Sequence, residues 1–160
     1  MILVIVGTTP KPFDRLIRAM DRIGEELNEQ VEIQTGASNF KVKNAMTKDF
    51  YTIEELEAKI AQARIIVSHA GVGTIIDARR HRKPIVVLPR RKDLGEMWDN
   101  HQLDTIRELR GVKGVFVAED ETRLRDRIME AMRFKWENDS IPTEKEMLVK
   151  YVKQIIDGIE

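Results

Sequence analysis

The sequence contains no cysteine, and this absence excludes two kinds of site. A chain without thiols has neither a disulfide framework nor a thiolate metal site. Disulfides are typical of secreted proteins, whereas reducing compartments keep thiols free. A cysteine-free composition fits the second environment, and we expect a cytoplasmic protein.

Long apolar runs and an excess of charge of one sign are also missing. The apolar opening at 1–6 has no basic stretch before it and stops at Gly7, so we do not expect a signal peptide. No run approaches the roughly 18 apolar residues of a transmembrane helix. Lys plus Arg number 27 and Asp plus Glu number 27, which argues against a nucleic-acid partner. The 160 residues, 42% hydrophobic and 34% charged, predict a single globular domain over 1–160.

Short apolar runs alternate with stretches of helical periodicity along the chain. Strands are predicted at 2–6, 31–34, 65–67, 84–89 and 114–117, while 41–51 is either loop or a short irregular strand. Helices are predicted at 13–27, 52–62, 74–81, 97–109, 119–134 and 143–159. Thr52 and Glu55 form a capping-box pattern at the start of the second helix. This alternation predicts an α/β fold, a Rossmann-like parallel sheet with helices on both faces.

Three loops follow predicted strands and contain most of the candidate functional residues. They span 7–11, 68–74 and 90–95. Because parallel sheets bind ligands at the carboxyl ends of their strands, we expect these loops to share one rim. The amides of Gly71, Gly73 and Thr74 would begin a helix and could bind an anion, since glycine lets the backbone approach a ligand. On the pattern alone, a packing turn that binds nothing is an equally good interpretation.

Several stretches resemble the C-terminal domain of family 28 glycosyltransferases. They are Ser-His-Ala-Gly-Val-Gly-Thr at 68–74, Lys-Pro-Ile-Val-Val-Leu-Pro at 83–89 and Asp-Asn-His-Gln at 99–102. Val-Gly-Thr-Thr at 6–9 and Phe-Asp-Arg-Leu at 13–16 are similar to the short, single-domain branch of the family. That branch includes the catalytic subunit of the two-subunit UDP-N-acetylglucosamine transferase of dolichol-linked oligosaccharide synthesis and small exopolysaccharide transferase subunits. The resemblance covers about 1–118.

The resemblance implies the C-terminal, nucleotide-sugar half of a two-domain GT-B glycosyltransferase. It implies inverting transfer of a sugar, N-acetylglucosamine above all, from a UDP-sugar to a lipid-linked acceptor. A membrane-anchored partner subunit would supply the acceptor half and hold this chain at the cytoplasmic membrane face. No cofactor is expected, and no Asp-x-Asp metal motif occurs, so we expect metal-independent transfer. Helix amides would then stabilise the leaving diphosphate.

Two other functions compete with this interpretation. A non-catalytic UDP-sugar-binding or regulatory subunit would have the same donor-binding loops. A dinucleotide-binding dehydrogenase is disfavoured, because no Gly-x-Gly-x-x-Gly follows the first strand.

The resemblance also assigns roles to individual residues of the rim. The nucleotide-sugar site would comprise Thr8, His69, Gly71, Val72, Gly73, Asp77, Asp99, Asn100, His101 and Gln102. Thr8 and the glycine loop would surround the diphosphate, and Asp77 would bind the ribose hydroxyls. Asp99 and Gln102 would bind the sugar hydroxyls, and their spacing of three would place them on one face of the helix predicted at 97–109.

Some of these residues have a second interpretation. Asp77 follows Thr74 by three and could complete a capping box, but ribose binding is favoured because that box prefers Glu or Gln. His69 is a candidate catalytic base, since an unperturbed imidazole titrates near neutral pH. A structural histidine that orients the loop is favoured over that role, and the base is otherwise unassigned. His101 either stabilises Asp99 or caps a helix.

Charged residues near the rim allow two interpretations as well. Arg90, Arg91 and Lys92 either pair with the diphosphate or form a polar loop. Glu96 is expected to face solvent. The basic run at 79–83 is expected to be a solvated helix end, favoured there by the helix dipole, and the alternative is contact with anionic lipid headgroups or the partner subunit.

The last predicted helix, within 143–160, has an apolar stripe. Its members recur at spacings of three and four: Leu148, Tyr151, Val152, Ile155, Ile156 and Ile159. The stripe either packs on the chain's own sheet or docks on the partner subunit, since it follows a polar break at 136–142. We predict docking on the partner.

Overall fold

A computed structural model describes residues 1–137, which form a six-stranded parallel sheet with helices on both faces. The strands are β1 (Ile2–Ile5), β2 (Val31–Gln34), β3 (Met46–Lys48), β4 (Ile65–His69), β5 (Ile85–Leu88) and β6 (Val115–Val117). The helices are α1 (Asp14–Leu27), α2 (Ile53–Gln62), α3 (Val72–Arg80), α4 (His101–Leu109) and α5 (Leu124–Arg133). The predicted fold class is confirmed. The helix predicted within 143–160 lies outside the described residues.

The strand order places β1 at the centre of the sheet. The order is β3-β2-β1-β4-β5-β6, and every neighbouring pair is parallel. Ile2 of β1 lies opposite Val31 of β2 on one side and Ile65 of β4 on the other. The chain therefore builds outward from β1 to β3 and then returns to the centre at β4. Such a reversal is the point at which open α/β sheets bind ligands.

Both faces of the sheet are covered, which explains the unbroken apolar runs of its central strands. On β1, Ile2 and Val4 pack with α1 and α5, whereas Leu3 and Ile5 pack with α2, α3 and α4. The α1 and α5 side contains Leu16, Ile17, Met20, Ile23, Leu124, Ile128 and Ala131. The opposite side contains Ile60, Ile75, Ala78 and Ile106. Within the described residues, no helix is long and apolar enough to cross a bilayer.

The elements around the glycine loop differ from their predicted bounds. β4 continues to His69, two residues beyond the predicted strand, because Ser68 and His69 still pair with β5. The next helix begins at Val72 instead of 74, since Gly71 occupies the N-cap with an extended backbone. Thr74 therefore lies inside the first turn, and the capping box that was the alternative interpretation of Asp77 is not formed.

Two later helices are shorter than predicted. The helix expected from 97 begins only at His101, because 90–100 is held as an irregular loop by buried side chains described below. The helix expected over 119–134 is split into a 3-10 turn, Glu121–Arg123, and α5. The Asp120 side chain accepts a hydrogen bond from the Thr122 amide and caps that turn. The ambiguous stretch at 41–51 contains β3, which forms one edge of the sheet.

Candidate functional site

The loops after β1 and β4 meet around the side chain of His69. A Cβ added to Gly7 would lie 2.5 Å from His69 Nε2, and one added to Gly71 would lie 2.1 Å from His69 Cε1. Neither position has room for a larger residue, and Gly7 also has a φ of +81°, which L-residues rarely adopt. The prediction that these two loops share a rim at the carboxyl edge of the sheet is confirmed.

Gln102, in the first turn of α4, is hydrogen-bonded to the Nδ1 side of the His69 ring. Its Oε1 accepts hydrogen bonds from the Ala70 amide at 3.2 Å and the Arg90 amide at 2.9 Å. Backbone N–H groups can only donate, so these contacts identify the oxygen end of the side-chain amide. Gln102 Nε2 then lies 3.1 Å from His69 Nδ1 and donates to it. At 7% exposure, Gln102 joins the ends of β4 and β5 and does not face open solvent.

His69 is neutral at physiological pH. Burial, and then the nearby charge of Arg90, lower the pKa of His69 to about 4. Because Nδ1 accepts from Gln102, the single proton of the neutral ring is on Nε2, on the side of Gly7. A ring in this state donates a hydrogen bond and takes up a proton only in acid. The geometry therefore favours a loop-orienting histidine over a general base.

Arg90, two residues after the end of β5, is completely buried and holds the loop after β1 in place. Its Nη2 donates to the Val6 carbonyl at 2.8 Å, and its Nη1 donates to the carbonyls of Lys11 at 3.0 Å and Glu96 at 3.1 Å. The guanidinium lies 4.6 Å from the centroid of the Phe13 ring. Burial lowers the pKa of Arg90 to about 10, so it is still charged at neutral pH. Both interpretations given for Arg90 are wrong, because its donors point inward and not to the rim or to solvent.

Glu96 is also buried, so the prediction that it faces solvent is wrong. Its carboxylate accepts two hydrogen bonds of 2.8 Å from Arg15 and one of 3.0 Å from the Arg91 amide. Arg15 donates further to the Pro89 carbonyl at 2.8 Å and to Glu121 at 2.9 Å. No sequence pattern indicates this pair, because Arg15 and Glu96 are 81 positions apart and belong to different elements.

The other two basic residues of this loop, Arg91 and Lys92, make contacts within it. The Arg91 guanidinium pairs with Asp93 at 2.6 Å. The Lys92 amide donates to the Asn100 side-chain oxygen at 3.1 Å. These contacts agree with the polar-loop interpretation of Arg91 and Lys92.

Asp77 and Thr8 are both accessible to solvent. The Asp77 side chain, in the second turn of α3, is 42% exposed and lies 3.6 Å from Arg80. Thr8 is exposed in the loop that follows Gly7. Both residues are open to a ligand.

Asp99, Asn100 and His101 form the entry to α4. Asp99 precedes the helix, so the prediction that it shares a helix face with Gln102 is wrong. Its Oδ1 accepts from the His101 amide at 3.0 Å, and the two side chains lie 3.9 Å apart. The His101 side chain is 84% exposed. Thus Asp99 and His101 lie at the surface, while Gln102 lies beneath it.

The first turn of α3 completes this surface with hydrogen-bond donors. Gly71 is its N-cap, and none of the described side chains caps the first amides of the helix. The space beside Gly73 is open, since a Cβ added there would meet no described atom within 4 Å. Together with Nε2–H of His69, the helix start presents donors, which suits an anion such as a phosphate. Among residues 1–137, no group of three or more His, Asp or Glu side chains is arranged to hold a metal ion.

Comparison with known sequences points to one family. Residues 1–156 match the glycosyltransferase family 28 C-terminal domain. The UDP-N-acetylglucosamine transferase subunit ALG13 of Yarrowia lipolytica is 26% identical over 134 residues, a match that covers 75% of this chain and 65% of that protein. The chain therefore spans somewhat less than two thirds of this relative.

Solved structures share the fold. The glycotransferase of kitacinnamycin has a TM-score of 0.60 at 15% identity, over 96% of this chain and 38% of the other. The UDP-GlcNAc 2-epimerase of Methanocaldococcus jannaschii, in complex with UDP-GlcNAc and UDP, has a TM-score of 0.62 at 12% identity, over 96% and 45%. The calicheamicin glycosyltransferase CalG4 gives 0.58 at 15% identity, over 82% and 34%. These likenesses confirm the predicted correspondence to the C-terminal, Rossmann-like half of the GT-B fold.

Proposed function

Because the chain belongs to the glycosyltransferase family 28 C-terminal domain family, we propose that it is the donor-binding, catalytic subunit of an inverting UDP-sugar-dependent glycosyltransferase. The observation that most supports this proposal is the meeting of the two loops that follow β1 and β4. There His69 lies against Gly7 and Gly71, next to the start of α3, whose first amides no described side chain caps. The transferred sugar is N-acetylglucosamine, in keeping with the name of the Yarrowia relative.

In this proposal the diphosphate of the donor lies at the start of α3. The amides of the first turn and Nε2–H of His69 donate to its oxygens, and Thr8 lies beside them. When the bond between the anomeric carbon and the diphosphate oxygen breaks, negative charge develops on the leaving UDP. Donors that are already in position stabilise that charge without reorganisation. The reaction then requires neither a metal ion nor a cofactor.

The remaining rim residues bind the two sugars of the donor. The partly exposed Asp77 carboxylate accepts hydrogen bonds from the ribose hydroxyls. Asp99, Asn100 and His101, at the entry to α4, surround the hexose. The acceptor hydroxyl attacks the anomeric carbon from the side opposite UDP, which inverts its configuration, and its proton passes to a base in the acceptor half.

The acceptor half belongs to a second, membrane-anchored subunit in this proposal. The Yarrowia relative is named as a subunit, and this chain covers 38% of the kitacinnamycin enzyme and 34% of CalG4. A lipid-linked acceptor would be presented by that partner. The chain itself would be cytoplasmic and peripheral to the membrane, held there by the partner.

Thermal unfolding with added nucleotides tests the donor site. We expect UDP and UDP-N-acetylglucosamine to raise Tm, since a ligand at about 100 times its Kd stabilises the folded state by roughly 2.7 kcal/mol. NAD should have no effect. Asp77→Asn should keep the Tm of the free protein and lose much of the shift. A shift with NAD and none with UDP would overturn the proposal.

A transfer assay separates the catalytic subunit from its non-catalytic alternative. The chain is co-purified from its native source, the membrane-anchored partner is identified, and both are assayed with labelled UDP-N-acetylglucosamine and a lipid acceptor. Transfer that requires both subunits, and that Asp77→Asn reduces, supports the catalytic role. UDP binding and complex formation with transfer by the partner alone would favour a regulatory subunit.

A further inference from the structure

We propose that Gln102 is a positioning residue that fixes His69 in the tautomer able to donate a hydrogen bond to the donor diphosphate. The proposal rests on the donor site described above, and it gives Gln102 a role other than binding the sugar. Gln102 acts through the imidazole and need not contact the ligand.

The orientation of the Gln102 amide is determined by the backbone. Its Oε1 accepts from the Ala70 and Arg90 amides at 3.2 and 2.9 Å. Turning the amide over would place its NH2 group against two N–H donors and leave three donors without an acceptor. In a buried position, each unsatisfied polar group is costly, so this orientation is fixed.

The orientation of the amide in turn determines the proton on the imidazole. The NH2 group of Gln102 lies 3.1 Å from His69 Nδ1. A proton on Nδ1 would point at that NH2 group, so the neutral ring must have its proton on Nε2. Arg90, at the end of β5, is the charged group whose field reaches His69, and it opposes a second proton on the ring.

The proton on Nε2 determines whether the ring attracts or repels an anion. Nε2 lies on the side of Gly7, next to the loop that leads into α3. With its proton there, His69 adds a donor to the amides of the helix start. In the other tautomer a nitrogen lone pair would face the oxygens of the diphosphate. Gln102 thus determines whether His69 Nε2 attracts the diphosphate as a hydrogen-bond donor or repels it with a lone pair.

Gln102→Glu tests this chain of contacts with little change of shape. One carboxylate oxygen still accepts from the two backbone amides, and the other oxygen accepts from His69. The proton of the neutral ring should then move to Nδ1. Long-range 15N–1H NMR at pH 8 should show Nε2–H in the wild type and Nδ1–H in the variant. A wild-type ring protonated on Nδ1 would overturn the proposal even if no variant folded.

Binding of UDP provides the second measurement. Gln102→Glu should weaken UDP binding at pH 8 by about tenfold to a hundredfold, as expected for loss of a hydrogen bond to a charged group. Arg107→Gln makes the same change of net charge on an exposed, 68% accessible side chain of α4 and should leave binding unchanged. Unchanged UDP affinity in Gln102→Glu despite a moved proton would refute the proposal.

A double-mutant cycle separates positioning from direct contact with the sugar. In a His69→Ala background, Gln102→Glu should cost no further UDP affinity, because its effect passes through the ring. An undiminished effect there, or a loss for UDP-N-acetylglucosamine but not for UDP, would identify Gln102 as a sugar ligand instead. If the wild type binds no UDP, the proposed function fails, whereas the tautomer measurement still stands by itself.

Discussion

At the scale of single residues, the site depends on polar groups that are enclosed and on glycines that make room for them. His69 lies against Gly7 and Gly71 and is bonded to Gln102, so its ring has little freedom to move or to take up a second proton. A ring held in this way has two measurable consequences, one for the pH dependence of stability and one for substitutions at the glycines.

The first prediction concerns stability in mild acid. The pKa of His69 is about 4 in the folded protein and about 6.5 when unfolded. Well above pH 6.5, His69 is neutral in both states and adds no pH dependence. Between pH 6.5 and 4 only the unfolded state binds the proton, so stability falls as the pH falls, by at most about 3 kcal/mol in total.

Urea unfolding at several pH values between 7.5 and 4 measures this effect. The wild type also loses stability through its carboxylates, so His69→Gln serves as the reference. The difference between the two proteins should change across this window and be constant above it. A constant difference at every pH would contradict a lowered pKa.

The second prediction compares two glycines of the same loop. Gly71→Ala should destabilise the fold by about 1–3 kcal/mol, because its Cβ would overlap the His69 ring. Gly73→Ala, where nothing lies within 4 Å, should be neutral or stabilise the helix by up to about 1 kcal/mol. Thermal unfolding of both variants is the measurement, and equal effects would show that His69 does not fill the space beside Gly71.

The glycines of the site were predictable from the sequence, but the role of Gln102 was not. A missing Cβ is a local property, visible at the position itself. The contacts of Gln102 depend on the amides of Ala70 and Arg90, which are 32 and 12 positions away and meet it only after β4 and β5 have paired. Local spacing could not predict that Gln102 is buried. It also could not predict that the side chain bonds to backbone amides and to His69.

At the scale of elements, the loop between β5 and α4 is shaped by buried charges. Arg90 donates to four backbone carbonyls, and the Glu96 carboxylate pairs with Arg15 of α1. The helical spacing in 97–109 predicted a longer α4, but the buried Glu96 draws the chain inward and delays its start to His101. Tertiary contacts of this kind override local periodicity.

The third prediction tests the buried ion pair between Arg15 of α1 and Glu96 of this loop. Arg15→Met should destabilise the protein by about 3–5 kcal/mol, since it leaves the buried Glu96 carboxylate without its cation. The side chains of Arg15 and Glu96 are only 12% and 7% exposed. Arg107→Met is the matched control, because the Arg107–Asp104 pair is 68% and 65% exposed and should cost under about 1 kcal/mol.

Chemical denaturation of these variants gives the free energies of unfolding. Adding Glu96→Gln to Arg15→Met should restore part of the loss, because the buried charge is then removed. Similar costs for Arg15→Met and Arg107→Met would mean that the buried pair contributes no more than a surface pair.

At the scale of the whole molecule, the sheet of the described residues is covered on both faces by five helices, the last of which ends at Arg133. The alternation of apolar runs and helical periodicity was enough to predict this architecture, because a strand that is buried on both faces has an unbroken apolar sequence. The position of the short edge strand β3 was not predictable, since its three residues are all exposed and do not form an apolar run.

The fourth prediction concerns the segment from Thr143 onward. Its deletion removes none of the described strands or helices, so the shortened chain should fold and bind UDP. It should fail to bind the membrane-anchored partner and should not support transfer. Circular dichroism, UDP titration and co-purification measure the three properties. Unfolding or loss of UDP binding would place the segment in the core of this chain instead.

The central position of β1 also has a consequence for the order in which the protein folds. β1 can pair with β2 early, across the short unit that contains α1, but its other neighbour, β4, begins about 60 residues later. Closing that distance is entropically expensive, so we expect the pairing of Ile2 with Ile65 to form late in folding. The contact between the Gly7 loop and His69 forms only when these two strands have paired. Until then the loops that follow β1 and β4 are apart, so under the proposed function the gain of UDP binding would report on the completion of folding.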